Sequence, residues 1–220
     1  MSIEFPILDP NALNCGDCPA NDLKNDQTYS PSEKGDWETW VRYCESLREG
    51  QAKEIINTHG KIKLYILAES IPKNRFVYDR DSDYRGKKEG WLRKKFCEGL
   101  LGGCPENVKS CKKCQNLDRL MDFLKKQGIL IVDCALCPLH NLSSNKERRA
   151  AATICLNRHT SRYLDITPNA PIVTFFPGKT GFYKKDTITI KPEIESRILD
   201  ETKLKFKYLK CFEECDSPDV

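Results

Sequence analysis

Three short apolar runs punctuate an otherwise polar chain. The first, from Lys61 to Ala68, is dense in Ile, Leu and Tyr and stops abruptly at Glu69, before a loop with Pro72. The second, Ile129-Leu130-Ile131-Val132, stops at Asp133 and opens into Cys134-Ala135-Leu136-Cys137-Pro138-Leu139-His140-Asn141. The third runs from Pro171 to Phe176 and ends at Pro177-Gly178. Continuous apolarity over four to eight residues suits parallel strands buried on both faces.

Between these runs the spacing turns helical. Trp37, Trp40, Val41, Cys44 and Leu47 recur at helical intervals after Asp36, a plausible N-cap, and predict an amphipathic helix ending near Gly50 or slightly later. Leu92, Phe96 and Leu100 mark a second helix, and Leu117, Leu120, Met121, Phe123 and Leu124 a third. A fourth is expected from about Asn145 to Leu164. The resulting β-α-β-α-β series predicts an α/β fold: three layers, with helices on both faces of a mostly parallel central sheet. Beyond Gly181, residues 187–190 and 203–209 have strand character, and a short helix is expected after Pro192.

At 220 residues a single domain spanning 1–220 is expected, with an irregular cysteine-bearing arm over 1–35 and a cysteine-rich insertion over 97–114. Charged residues make up 31% of the chain, and no apolar run approaches the roughly 20 residues of a membrane helix. The N-terminus has neither the basic flank nor the apolar block of a secretory signal. The expected setting is therefore intracellular, cytoplasmic or, in a eukaryote, nuclear, with no membrane partner. The net charge of +4 is small, although basic residues gather at Lys87, Lys88, Arg93, Lys94 and Lys95, at Lys146, Arg148 and Arg149, and at Lys179, Lys184 and Lys185.

Twelve cysteines are many for a reducing compartment and point to metal ligation. Cys15-x-x-Cys18 and Cys111-x-x-Cys114 each have the gap that brings two sulfurs to one metal from a tight turn. Two groupings stand open: a local zinc site of Cys97, Cys104, Cys111 and Cys114, and a site of Cys15, Cys18, Cys137 and Cys155 able to hold zinc or an iron–sulfur cluster. His140 and His159, three residues after Cys137 and four after Cys155, have spacings zinc accepts, and Cys211 with Cys215 offers a further pair.

The two acidic strand ends are candidates for chemistry, because open parallel sheets place ligand sites beyond their carboxyl edge. Ala68-Glu69-Ser70-Ile71-Pro72, followed by Phe76 and Tyr78, resembles the first motif of the uracil-DNA glycosylase superfamily, especially branches reading G-E-A-P-G or G-E-S-P-P. Asp133, Cys137 and Cys155 resemble the second strand end and cluster cysteines of its iron–sulfur branch, where an early C-x-x-C, here Cys15 and Cys18, supplies the remaining ligands of a [4Fe–4S] cluster. The resemblance covers roughly residues 60–180, with the arm added. It implies a divergent glycosylase that removes damaged or modified bases from DNA. Glu69 and Asp133 would be catalytic and face each other across one cleft. Phe76 or Tyr78 would stack on the flipped base, and Asn141 and Lys179 would contact substrate. Lys94, Lys95, Arg148 and Arg149 would lie near the cleft mouth.

Ala68 stands where the family has glycine, Asp133 where uracil-specific members have asparagine, and no H-P-S motif follows the third strand. Pro177-Gly178-Lys179-Thr180-Gly181 would take over its phosphate contact. Two other readings are a non-catalytic, metal-containing nucleic-acid-binding protein of the same fold and a structural zinc protein with a protein partner.

Overall fold

The computed structural model describes residues 15–20, 37–71, 76–78, 117–137, 139, 142, 144–174 and 191–199. In chain order the elements are α1 (Trp37–His59), β1 (Leu64–Ser70), α2 (Leu117–Gln127), β2 (Ile129–Ala135), α3 (Asn145–Cys155), a π-helical stretch (Leu156–Thr160), α4 (Ser161–Asp165), β3 (Ile172–Thr174) and α5 (Pro192–Glu195). The second expected helix, the strands over 187–190 and 203–209, and the insertion over 97–114 lie outside the described residues.

The three apolar runs pair as a parallel sheet in the order β2-β1-β3. Their near-continuous burial explains their composition: Leu64 to Leu67 and Ile129 to Val132 are almost inaccessible on both faces. Tyr65 pairs with Leu130 and Ile172, and Ala68 with Asp133. On the far side of β3, Ile172 bridges Ile198 in parallel, extending the hydrogen-bonded surface by one position. The chain moves from β1 to β2 on one side and then recrosses to β3 on the other. The boundary between β1 and β3 is thus a topological switch point, where a crevice opens beyond the carboxyl ends of the strands.

α1 carries its apolar stripe through Trp37, Trp40, Val41, Cys44, Ala52 and Ile55, all buried. It runs past Gly50, which sits exposed inside the helix. The stop comes at Gly60, whose φ of 73° and hydrogen bond to the Ile56 carbonyl (2.7 Å) form a left-handed C-terminal turn. α2 lies along α1, with the Gln51 amide donating to the Met121 carbonyl at 3.4 Å and Lys125 paired with Glu54 at 3.1 Å.

Gly128 makes the turn from α2 into β2 at a φ of 71°. A β-carbon there would stand 2.9 Å from the Lys63 Cγ, while the Gly128 carbonyl accepts from Lys63 N at 2.8 Å. Gly128→Ala is therefore expected to lower the unfolding free energy by about 1–3 kcal/mol, combining left-handed strain with the contact to Lys63. Urea denaturation with an unchanged m-value would check this.

Candidate functional site

Glu69 is the penultimate residue of β1, half-buried at the carboxyl end of the sheet beside the switch point. Burial pushes its carboxyl above the ordinary value of 4.5, and the positive charge of Arg148 partly opposes that shift. Arg148 stands in the first turn of α3, a helix begun by a complete capping box: Glu147 N donates to Ser144 Oγ and Ser144 N to Glu147 Oε2, each at 3.2 Å. The loop after β2 is drawn to the same edge, where Leu139 N donates to Ser70 Oγ at 3.4 Å and Ile71 N to the Ala135 carbonyl at 3.0 Å. A carboxylate with a raised pKa, a nearby guanidinium and a partly water-excluding rim are suited to general-base or electrostatic work.

Asp133 does not share this rim. Because Ala68 is its register partner, Glu69 stands level with Cys134, and alternation along the strands places Glu69 and Asp133 on opposite faces of the sheet. The expected confrontation of the two acids across one cleft is thus overturned by register. Asp133 is 4% exposed and ion-paired with Arg48, which is fully buried. Arg48 also pairs with Glu45, one turn earlier on α1, and Glu45 in turn binds Arg162 and accepts from Tyr163 Oη at 3.0 Å. Burial raises the Asp133 carboxyl above its ordinary value of 3.8, with Arg48 working against the shift.

Phe76 and Tyr78 are also withdrawn from solvent, at 0% and 1% exposure. Their rings meet edge to face at 5.5 Å, and the Arg48 guanidinium lies 5.0 Å from the Phe76 ring centre. Tyr78 Oη accepts from Ile131 N at 2.6 Å and donates to the Ile131 carbonyl at 3.2 Å, occupying backbone groups on the outer side of β2. The expected open aromatic wall is instead buried packing at the sheet edge.

The cysteines fall into a clearer arrangement. Cys15 and Cys18 are buried at the ends of a tight turn closed by Cys18 N to the Cys15 carbonyl at 2.8 Å. Cys155 ends α3, and its sulfur accepts from Leu136 N at 3.2 Å, holding the loop that carries Cys137. Burial first, then the neighbouring charges of Cys137, Cys15 and Cys18, push the Cys155 thiol well above its ordinary value. One of the two expected groupings is thereby drawn into a common electrostatic neighbourhood.

Such repulsion among thiolates is relieved by a bound cation. His159 Nε2 is 3.3 Å from Cys15 Sγ, and Arg158 grips Asp17 with two hydrogen bonds of 2.6 Å beside the same turn. None of the six described cysteines is in a disulfide. Among the described residues, no three His, Cys, Asp or Glu side chains converge as a single-ion site requires.

Cys97, Cys104, Cys111 and Cys114, together with His140, Asn141, Lys179, Lys94 and Lys95, lie outside the described residues. Arg148 and Arg149 are half-buried on α3. The sequence reading missed Arg48, Glu45 and Arg162, although Glu45-x-x-Arg48 places opposite charges one turn apart on the apolar stripe containing Cys44, an anomaly legible in the sequence. Among the described residues no helix is long and apolar enough to cross a membrane. No family model, curated protein or solved structure matches the chain.

Proposed function

We propose that the protein is a divergent member of the uracil-DNA glycosylase superfamily, a three-layer α/β domain with a cysteine-bearing arm, and that it removes damaged or modified bases from DNA. The observation carrying this reading is Glu69, held half-buried at the carboxyl end of β1 beside the topological switch and within the field of Arg148. Cleavage of an N-glycosidic bond develops positive charge on the sugar. An ionised Glu69 stabilises that charge and accepts a proton from the attacking water, while Arg148 and Arg149 hold DNA phosphate.

Cys15, Cys18, Cys137 and Cys155 are the donor set for zinc or a [4Fe–4S] cluster, since Cys137, Cys15 and Cys18 all lie close enough to raise the cost of ionising Cys155. When bound, the metal centre would tie the arm to the loop after β2 and add its binding free energy to folding. Metal analysis separates the alternatives, with broad visible absorbance marking the cluster. His159 and Arg158 would hold the turn on which two of the sulfurs sit.

Glu69→Gln is expected to lower base release by at least about 10²-fold with DNA affinity nearly unchanged. Because the working form is the carboxylate and burial raises its pKa, activity should climb with pH along a limb above the ordinary value of 4.5, and Glu69→Gln should erase that limb. Equal activity of the two proteins on every releasable base would remove Glu69 from the chemistry. The burial of Asp133 and Phe76 around Arg48 favours a second reading, a nucleic-acid-binding protein without catalysis. That reading expects salt-dependent DNA binding and no base release from any duplex.

A further inference from the structure

The turn that carries Cys15 and Cys18 meets the body of the protein at two consecutive residues. Arg158 donates two hydrogen bonds of 2.6 Å to Asp17, and His159 sets Nε2 3.3 Å from Cys15 Sγ. Both belong to the π-helical stretch Leu156–Thr160, which begins directly after Cys155. Wide turns of this kind gather at functional sites. A second nitrogen lies against another of the sulfurs, since Leu136 N donates to Cys155 Sγ at 3.2 Å, one residue before Cys137.

A sulfur that ligates a metal does so as a thiolate, which has no proton to give. Ligation therefore fixes the direction of both contacts: Leu136 N–H and His159 Nε2–H donate, and the sulfurs accept. Four thiolates around zinc or a [4Fe–4S] cluster carry surplus negative charge, and Cys15, Cys18 and Cys155 are buried. An N–H donor draws part of that charge off the sulfur and fixes the direction in which its remaining lone pairs point. The Arg158 guanidinium also feels the charges of Cys15 and Cys18, but it is exposed and its effect is screened.

We propose that His159 is a positioning residue of the metal centre. Its Nε2–H donates to the Cys15 thiolate, and this bond sets how tightly the centre is held and, where the centre is a cluster, raises its reduction potential. The proposal rests on the metal centre inferred above and is independent of base release. His159 is a partner of a ligand and not itself a ligand, because Cys15, Cys18, Cys137 and Cys155 already complete a four-coordinate zinc site or the four cysteine positions of a cluster.

The test compares full-length protein, purified with its metal, with His159→Leu and His159→Gln. The glutamine amide offers an N–H in place of the ring Nε2–H. For zinc the readout is the concentration of a competing chelator that removes half the metal; for a cluster it is the midpoint potential, followed by visible absorbance. His159→Leu should hold zinc about 10- to 100-fold more weakly. In a cluster protein it should lower the potential, because the lost hydrogen bond favoured the more negative, reduced state. His159→Gln should recover most of either change. Arg158→Gln, which breaks the exposed pair with Asp17 and leaves the sulfur contact, should alter zinc retention by no more than about five-fold. Should His159→Leu not fold, His159→Phe takes its place.

A leucine variant that matches wild type overturns the proposal. So does a glutamine variant as impaired as the leucine one, since the ring would then act by packing or as a ligand. Equal losses in Arg158→Gln and His159→Leu would assign retention to docking of the arm and overturn it as well. Each of these results leaves the metal centre standing, whereas wild-type protein purified folded and free of metal removes the centre and the proposal together.

Discussion

Protein carrying Cys15→Ala and Cys18→Ala together is expected to purify with almost no bound metal and without a cooperative folded state. Both sulfurs are buried on one turn and share the neighbourhood of Cys155 and Cys137, so the pair supplies half of the proposed donor set. Structural metal binding by thiolates contributes on the order of 10 kcal/mol or more at neutral pH, as much as the entire stability of a typical domain. The expected signs are loss of near-UV dichroism, a broadened or absent thermal transition and a metal-to-protein ratio near zero. Wild-type protein stripped by a chelator should behave alike, whereas Cys44→Ala, whose sulfur is buried on the apolar stripe of α1 and is not in the proposed donor set, should keep its metal. A double variant that stays folded and monodisperse with unchanged near-UV signal would remove the metal from any role in the fold.

Arg48→Met is expected to cost about 3–5 kcal/mol of unfolding free energy, because it leaves the Asp133 carboxylate buried without its partner. The loss should not equal the worth of the ion pair. Combining Arg48→Met with Asp133→Leu removes both charges and should recover most of the deficit, since buried pairs replaced by apolar groups are often neutral in stability. Chemical denaturation of the two single variants and the double gives the coupling directly. Additive losses would show that Asp133 and Arg48 act independently despite their contact.

The strands were legible because burial on both faces leaves a run with few polar interruptions, and all three runs formed strands at the expected places. Glu69 was legible near the end of β1, whereas β2 runs two residues past the expected stop at Asp133 to Ala135, and the mutual placement of the two acids was not legible. Side-chain direction depends on register, and a shift of one residue decides whether two acids share a face. Phe76 and Tyr78 were assigned to base stacking by the family resemblance, yet Tyr78 satisfies the outer backbone groups of β2, a need that exists only once strand order is known. Gly50 was a weak stop signal, since glycine inside a helix costs only about 1 kcal/mol and the stripe continues through Ala52 and Ile55. The grouping of Cys15 and Cys18 with Cys137 and Cys155 was one of several that spacing allowed, because spacing does not say how the arm docks on the rest of the chain.

The π-helical stretch from Leu156 to Thr160 acts as a phase shifter between two clients. Before it, the Cys155 sulfur accepts from Leu136 N in the loop that carries Cys137; after it, Arg162 and Tyr163 reach Glu45 and Arg48. A wide turn is equivalent to one extra residue spliced into an α-helix, and each residue of an α-helix turns the chain by about 100°. Homologous sequences one residue shorter in this stretch would be able to aim the helix at one of these clients but not at both. Insertions and deletions here therefore carry more information about the protein's history than substitutions at the same positions.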